Sequence, residues 1–203
     1  MKYVIGIDEV GRGPIAGPLV VCACAVRDDV EILTLFPKGV LKDSKKLSEK
    51  NRIAIRTALE PHMESRGLIY GLGEVSAEEI DTYGLSKAIK EGVRRALDRC
   101  HAQGVPKEIM IYLDGSLHAD DSYLTQKTVI RGDETIGEIA LASIIAKVYR
   151  DTLMKEIASS VPEYGFERHV GYGTKYHYDA IKKNGLTKYH RRSFLKNKGN
   201  EIV

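Results

Sequence analysis

The sequence predicts an α/β layered fold, a sheet sandwiched by helices. Strand-type apolar runs come first, later strands alternate with long stretches of helical periodicity, and no repeat or low-complexity tract interrupts them. Tyr3-Val4-Ile5-Gly6-Ile7 is rich in strand formers, stops at Asp8-Glu9 and runs into the turn-prone Gly11-Arg12-Gly13-Pro14. Leu19 to Val26 is a continuous apolar run, which suits a strand buried on both faces and paired with its sequence neighbour. Cys22 and Cys24, two apart, share one face of that strand as small buried free thiols.

Ser48 caps an expected helix carrying Ile53, Ile55, Ala58 and Leu59, which Pro61 and His62 should end. Leu68 to Leu72 reads as a strand. Ser76 and Glu79 form a capping box that opens a helix with Leu85, Ala88, Ile89, Val93, Ala96, Leu97 and Cys100 at helical spacing. Ile109 to Leu113 is a strand delivering Asp114 at its end, and Thr128-Val129-Ile130 is another that runs into Arg131-Gly132-Asp133. Ile139, Ala142, Ile145, Ala146, Tyr149, Leu153 and Ile157 mark a second long amphipathic helix, broken before Pro162.

The chain has 203 residues, 43% hydrophobic and 29% charged, with a net charge of +3, which excludes bulk disorder and a uniformly basic surface. The longest apolar run is far short of the ~20 residues that span a bilayer, and Asp8 and Glu9 interrupt any secretory signal. A soluble, cytoplasmic monomer without membrane association is therefore expected. Charge is local: nine Lys or Arg between 168 and 198 face one acid, Asp179, so that segment carries +8 and the remainder −5. The expected division is a main region over 1–160 and a basic C-terminal region over 161–203, a subdomain at most. Its Tyr172, Tyr176, Tyr178, Tyr189 and Phe194 interleave with the cations, a pattern that holds phosphates and stacks on sugars or bases, or else forms a solvated face.

Three expected strands end in acids, Asp8-Glu9, Asp114 and Asp133, and strand ends are where open α/β sheets gather active groups. Clustered carboxylates repel one another unless a cation compensates, and hard oxygen donors suit Mg²⁺ or Mn²⁺. Adjacent residues on a regular strand point to opposite faces, so Asp8 and Glu9 share a site only if the strand twists or ends there. Gly11 and Gly13, flanking Arg12, allow close backbone approach to a phosphate or a sugar hydroxyl. No Gly-Lys-Ser/Thr comes after it, so the loop is not an ATP-binding Walker motif. The six histidines have no zinc spacing and are expected at the surface or facing phosphates.

Several ordered motifs carry a resemblance. They are Gly6-Ile7-Asp8-Glu9-Val10-Gly11-Arg12-Gly13-Pro14-Ile15-Ala16-Gly17-Pro18, Asp43-Ser44-Lys45-Lys46-Leu47-Ser48, Leu113-Asp114-Gly115, Arg131-Gly132-Asp133, the stretch from Ala142 to Asp151, and His190-Arg191-Arg192-Ser193-Phe194. Together they resemble the type 2 ribonuclease H family. Val10, Arg131, Leu186 and Lys188 depart from its commoner residues without touching a proposed ligand. The resemblance implies a ribonuclease H-like mixed sheet flanked by helices, with 1–160 as the catalytic domain and 161–203 as a helical, basic, substrate-binding C-terminal region. It also implies a metal-dependent endonuclease acting on RNA–DNA hybrids and on duplex DNA with single embedded ribonucleotides.

By the same resemblance, Asp8, Glu9, Asp114 and Asp133 are the metal-binding catalytic carboxylates. Gly11, Arg12 and Gly13 contact the ribose 2′-OH, Tyr172 packs on the neighbouring deoxyribose, and Lys45 and Lys46 lie near the phosphates. Two divalent ions about 3.5–4 Å apart would bracket the scissile phosphate, giving 5′-phosphate and 3′-hydroxyl ends. The rivals are a type 3 ribonuclease H, which cuts only longer ribonucleotide stretches, a catalytically idle nucleic-acid-binding scaffold, and a small-molecule phosphatase. A motif opening at Gly6 and Arg12 in mid-loop argue against the first, the four retained acids against the second, and the basic, aromatic C-terminal region against the third.

Overall fold

The computed structural model of the protein describes residues 2–36, 41 and 47–195. Lys45 and Lys46 lie outside them. The strands are β1 (Tyr3–Val10), β2 (Leu19–Arg27), β3 (Leu68–Val75), β4 (Met110–Asp114) and β5 (Gln126–Val129). They form one mixed sheet in the order β3-β2-β1-β4-β5, with β1, β2 and β3 antiparallel and β1, β4 and β5 parallel.

The helices α1 (Glu49–Ala58), α2 (Glu60–Glu64), α3 (Ala77–Tyr83) and α4 (Leu85–Ala102) precede β4, while α5 (Gly137–Ser160), α6 (Phe166–His169), α7 (Lys175–Asn184) and α8 (Arg192–Leu195) come after β5. No helix among the described residues is long and apolar enough to cross a membrane.

β2 is buried on both faces because helices cover the sheet on either side. Val21, Ala23 and Ala25 join Ile5, Ile7, Val93, Ala96 and Leu97 against α4, while Val20, Cys22, Cys24 and Val26 join Ala140, Leu141, Ile144 and Ile145 against α5. Cys22 and Cys24 are buried free thiols on one face, as expected. A third apolar cluster, including Ile15, Met154, Tyr164, Phe166 and Ile181, packs the C-terminal helices against the end of α5 and the loop after β1.

Local sequence signals and the observed elements agree in part. Ser48 caps α1 through the Asn51 amide, but the chain does not stop at Pro61. That residue sits in the first turn of α2, where its missing N–H has no partner to lose. The Ser76–Glu79 capping box is formed, yet it opens the short α3. Gly84, at φ +77°, separates α3 from α4.

β1 runs through both acids to Val10. Asp133 lies in a 3₁₀ turn, Gly132–Glu134, rather than at a strand end. The first half of α5 is buried on nearly every side instead of amphipathic, since it lies between the sheet and α1.

Three of the six histidines contradict the surface expectation: His169, His177 and His190 are buried around Phe166. Sequence spacing does not reveal this, because their partners come from α6, α7 and the segment before α8.

Packing and burial each generate a prediction. A methyl group at Gly6 would strike the Glu138 carbonyl and the Ile139 amide, backbone atoms of α5 that cannot rotate away. Gly6→Ala is therefore expected to lower stability by about 1–3 kcal/mol or more, read from the urea midpoint. Burial also pushes the His177 and His190 imidazoles down to about 4. The unfolded chain takes up these protons near the ordinary value of about 6.5, so it binds more of them than the folded protein between the two values. Stability from this pair is retained above about pH 6.5 and declines towards about pH 4; thermal melts across that range should show the decline, and His177→Asn combined with His190→Gln should flatten it.

Candidate functional site

Parallel pairing sets two acids side by side. Ile7 of β1 is opposite Leu113 of β4, so the next residues, Asp8 and Asp114, emerge together at the carboxyl end of the sheet. Pairing of β1 with β4 stops at Ile7, whereas pairing with β2 continues to Val10. The side of β1 beyond Ile7 is thus open, and Asp8, Glu9 and Asp114 all line one cleft of about 360 Å³. This resolves the conflict between strand alternation and a shared site.

Asp8 is buried and accepts hydrogen bonds from the Glu9 amide at 2.8 Å and from the Ser143 side chain. Burial, then the charges of Glu9 and Asp114, hold its carboxyl well above the usual carboxylate range. Glu9 is raised by burial too, opposed by an ion pair with Arg12 at 3.0 Å and reinforced by Asp114. Asp114 Oδ1 accepts the Gly132 amide at 2.6 Å, and Asp133, the next residue in that turn, is fully buried and does not line the cleft. Among the described residues no three acids, histidines or cysteines converge as a ready-made metal-holding group. The carboxylates have other partners: Glu9 faces Arg12, and Asp114 faces the Gly132 amide.

Sequence reasoning missed three polar residues on the cleft wall: Arg52, Ser143 and Lys147. Lys147 pairs with Asp151 at 2.7 Å, and Arg52 approaches the same carboxylate at 3.9 Å. Ser143, Lys147 and Asp151 recur four residues apart along α5, a signal that could have found the first two.

The glycine loop is held from behind by two buried arginines. Arg191 donates to the carbonyls of Gly11 at 2.7 Å, Arg12 at 3.2 Å and Gly17 at 2.8 Å. Arg150 donates to those of Pro18 at 2.9 Å, Val170 at 2.9 Å and Ala16 at 3.2 Å. Burial lowers Arg150 to about 10 and Arg191 to about 9, so both remain charged at neutral pH. The Ile15 and Ala16 amides donate to the Gly171 carbonyl, which brings the Tyr172 segment against the loop. The Tyr172 ring lines the cleft, is 47% exposed, and lies close to Gly13.

Arg191, counted from sequence among the cations free to meet phosphates, is enclosed instead. Arg168, Lys175, Lys182, Lys183, Lys188 and Arg192 remain exposed. Tyr178, Tyr189 and Phe194 pack into the third apolar cluster, leaving Tyr172 and Tyr176 half exposed.

Known proteins resemble the chain in sequence and in fold. The profile of the family described as Ribonuclease HII matches residues 5–197. The ribonuclease HII of Macrococcus caseolyticus is 39% identical over 193 residues, which span 95% of this chain and 67% of that protein. The structure of ribonuclease H2 from Pyrococcus horikoshii superposes with a TM-score of 0.73 at 25% identity, covering 94% of this chain and 93% of that one. Bst-RNase HIII in complex with Mn²⁺ shares the fold, with a TM-score of 0.70 at 21% identity over 97% of this chain and 68% of that one. A family match across nearly the whole length, on a ribonuclease H-like fold, means that the chain belongs to the ribonuclease HII family of ribonuclease H hydrolases.

Proposed function

We propose that the chain is a metal-dependent endonuclease that hydrolyses the RNA strand of RNA–DNA hybrids and incises 5′ to single ribonucleotides embedded in duplex DNA. It leaves 5′-phosphate and 3′-hydroxyl ends. One observation carries this reading: the carboxylate cleft shares its wall with Tyr172, which lies against the Gly11–Gly13 loop. A group reacting beside Asp8 and Asp114 would thus be within reach of a loop suited to a ribose hydroxyl, the one feature that distinguishes RNA from DNA locally.

The donors fit a hard divalent cation. All are carboxylate oxygens, and the anionic forms of Asp8 and Glu9 are disfavoured by burial and by Asp114, a cost that a cation removes. Asp8, Glu9 and Asp114, which line the cleft, would hold it, and Asp133, buried in the adjacent turn, would join them on the strength of its motif alone. The Mn²⁺ of Bst-RNase HIII supports a divalent ion of this kind. Mg²⁺ or Mn²⁺ in such a site supplies acidification of water and neutralisation of phosphate charge.

The chain's own groups do the rest. Ser143 and the Gly132 amide fix the Asp8 and Asp114 carboxylates, and Arg12 restrains Glu9. Lys147 and Arg52 place positive charge on the wall where a phosphate backbone would enter. The roles of Lys45 and Lys46 near the phosphates rest on their motif alone.

Labelled duplexes containing one ribonucleotide, four, or none test the reading, in Mg²⁺, Mn²⁺ or EDTA. Wild type is expected to nick 5′ to the lone ribonucleotide only with metal, and Asp114→Asn to lose about a hundredfold or more of that rate. Cutting only at the longer stretch would assign type 3 specificity, binding without cutting would assign an idle scaffold, and 2′,3′-cyclic phosphate products would refute the hydrolysis proposed. If the exposed lysines of the C-terminal helices grip the backbone, duplex affinity should fall steeply with salt; a flat dependence would make them a solvated face.

A further inference from the structure

Two of the three buried histidines, His169 and His177, meet one short segment, Gly171-Tyr172-Gly173, and His190 is joined to it through His177. The Gly171 amide donates to His169 Nδ1 at 3.3 Å, while the opposite nitrogen of that ring, Nε2, lies 2.9 Å from the Tyr164 carbonyl. His177 Nδ1 is 2.9 Å from the Tyr172 carbonyl, His177 Nε2 is 3.1 Å from His190 Nε2, and His190 Nδ1 receives the Thr187 amide at 2.9 Å.

The partners dictate where the protons lie. A carbonyl only accepts, so His177 Nδ1 carries the hydrogen and its Nε2 is an acceptor. A backbone amide only donates, so His190 Nδ1 is an acceptor, also towards the Thr187 hydroxyl at 2.9 Å, whose oxygen itself accepts the Tyr189 amide, and its Nε2 carries the hydrogen. Each donor then meets an acceptor, and the chain of bonds runs in one direction from Thr187 through His190 and His177 to the Tyr172 carbonyl.

We propose that His177 and His190 are positioning residues. Their directed hydrogen-bond relay fixes the backbone of Tyr172 so that its half-exposed ring stands on the wall of the carboxylate cleft. This rests on the reading that the cleft binds a ribonucleotide-containing duplex.

Burial, the largest influence on both rings, favours their neutral forms and outweighs the Tyr172 and Thr187 backbone groups that favour a proton. His169 of α6 stacks on His177 with centroids 4.6 Å apart, and the Arg192 charge from α8 opposes protonation of His190. Tyr164 meets His190 edge-on at 5.0 Å, and Phe166 meets His177 at 5.3 Å. A second proton on either ring would set two N–H groups against each other and break the relay. Neither histidine lines the cleft, so each acts only through Tyr172.

The test compares His177→Phe, which keeps a ring but no hydrogen bonds, with His177→Asn, whose amide nitrogen can occupy the place of Nδ1 and donate to the Tyr172 carbonyl. Both are made with Tyr172 intact and with Tyr172→Ala. On the single-ribonucleotide duplex, His177→Phe should raise KM by about tenfold with kcat changed by less than about twofold. His177→Asn should recover most of that loss, and the effect of His177→Phe should vanish in the Tyr172→Ala background.

A KM penalty that persists without the Tyr172 ring, or a loss confined to kcat, would overturn the proposal. If His177→Phe does not fold, His177→Asn decides: KM near wild type supports the relay, and a tenfold rise overturns it. Imidazole ¹⁵N shifts of wild type give a readout that needs no substrate. The relay requires the Nδ1–H form of His177 and the Nε2–H form of His190, and either opposite tautomer refutes it. Wild type that fails to cut would sink the functional reading while leaving the tautomer result standing.

Discussion

Two guanidinium groups in the interior organise the working end of this molecule. Arg150 and Arg191 are fully buried, and each directs its planar fork of donors at backbone carbonyls of the loop after β1. A charge taken out of water is tolerable only when its donors are satisfied, and main-chain oxygens do that here. Arg191 comes from the C-terminal segment, so separating that segment from the loop would break its hydrogen bonds to the Gly11, Arg12 and Gly17 carbonyls. The Gly11–Gly13 loop, the end of β1 and the Tyr172 segment therefore hold one geometry together.

On that frame the cleft concentrates its instability where chemistry is needed. The parallel register of β1 and β4 forces Asp8 and Asp114 together, while burial and their mutual field oppose ionisation of Asp8 and Glu9. The fold supplies the opposing stability elsewhere, in a β2 buried on both sides and in an α5 packed directly on Gly6. Strain of this kind, carried by carboxylates, is what the divalent cation of the proposed reaction would relieve.

Much of the architecture was legible in local patterns. The continuous apolar run of β2 announced burial on two faces, the Ser48 and Ser76 caps marked helix starts, and the turn-prone glycines after Glu9 marked the loop. Element ends were less legible. Pro61 reads as a terminator yet starts α2, and Gly84 divides two helices that periodicity joins, because a breaker specifies a change of direction but not the element beyond it. Arg191 and His177 were misplaced for a different reason. Polar residues read as exposed unless partners are visible, and theirs are main-chain groups that leave no pattern along the chain.

Local patterns along the chain mark which residues could do chemistry: four acids, a Gly-Arg-Gly loop and a tyrosine in ordered motifs, with α/β alternation to carry them. Tertiary structure decided which of them meet. A strand rule that sends Asp8 and Glu9 to opposite faces was overridden because β4 pairs with β1 only as far as Ile7, leaving the strand open beyond it. Asp133 was drawn into a buried turn beside Asp114, and one basic residue of the C-terminal region became a brace while others stayed at the surface. Periodicity reports the face on which a side chain lies, whereas register, loop closure and burial depend on contacts between elements far apart in the chain.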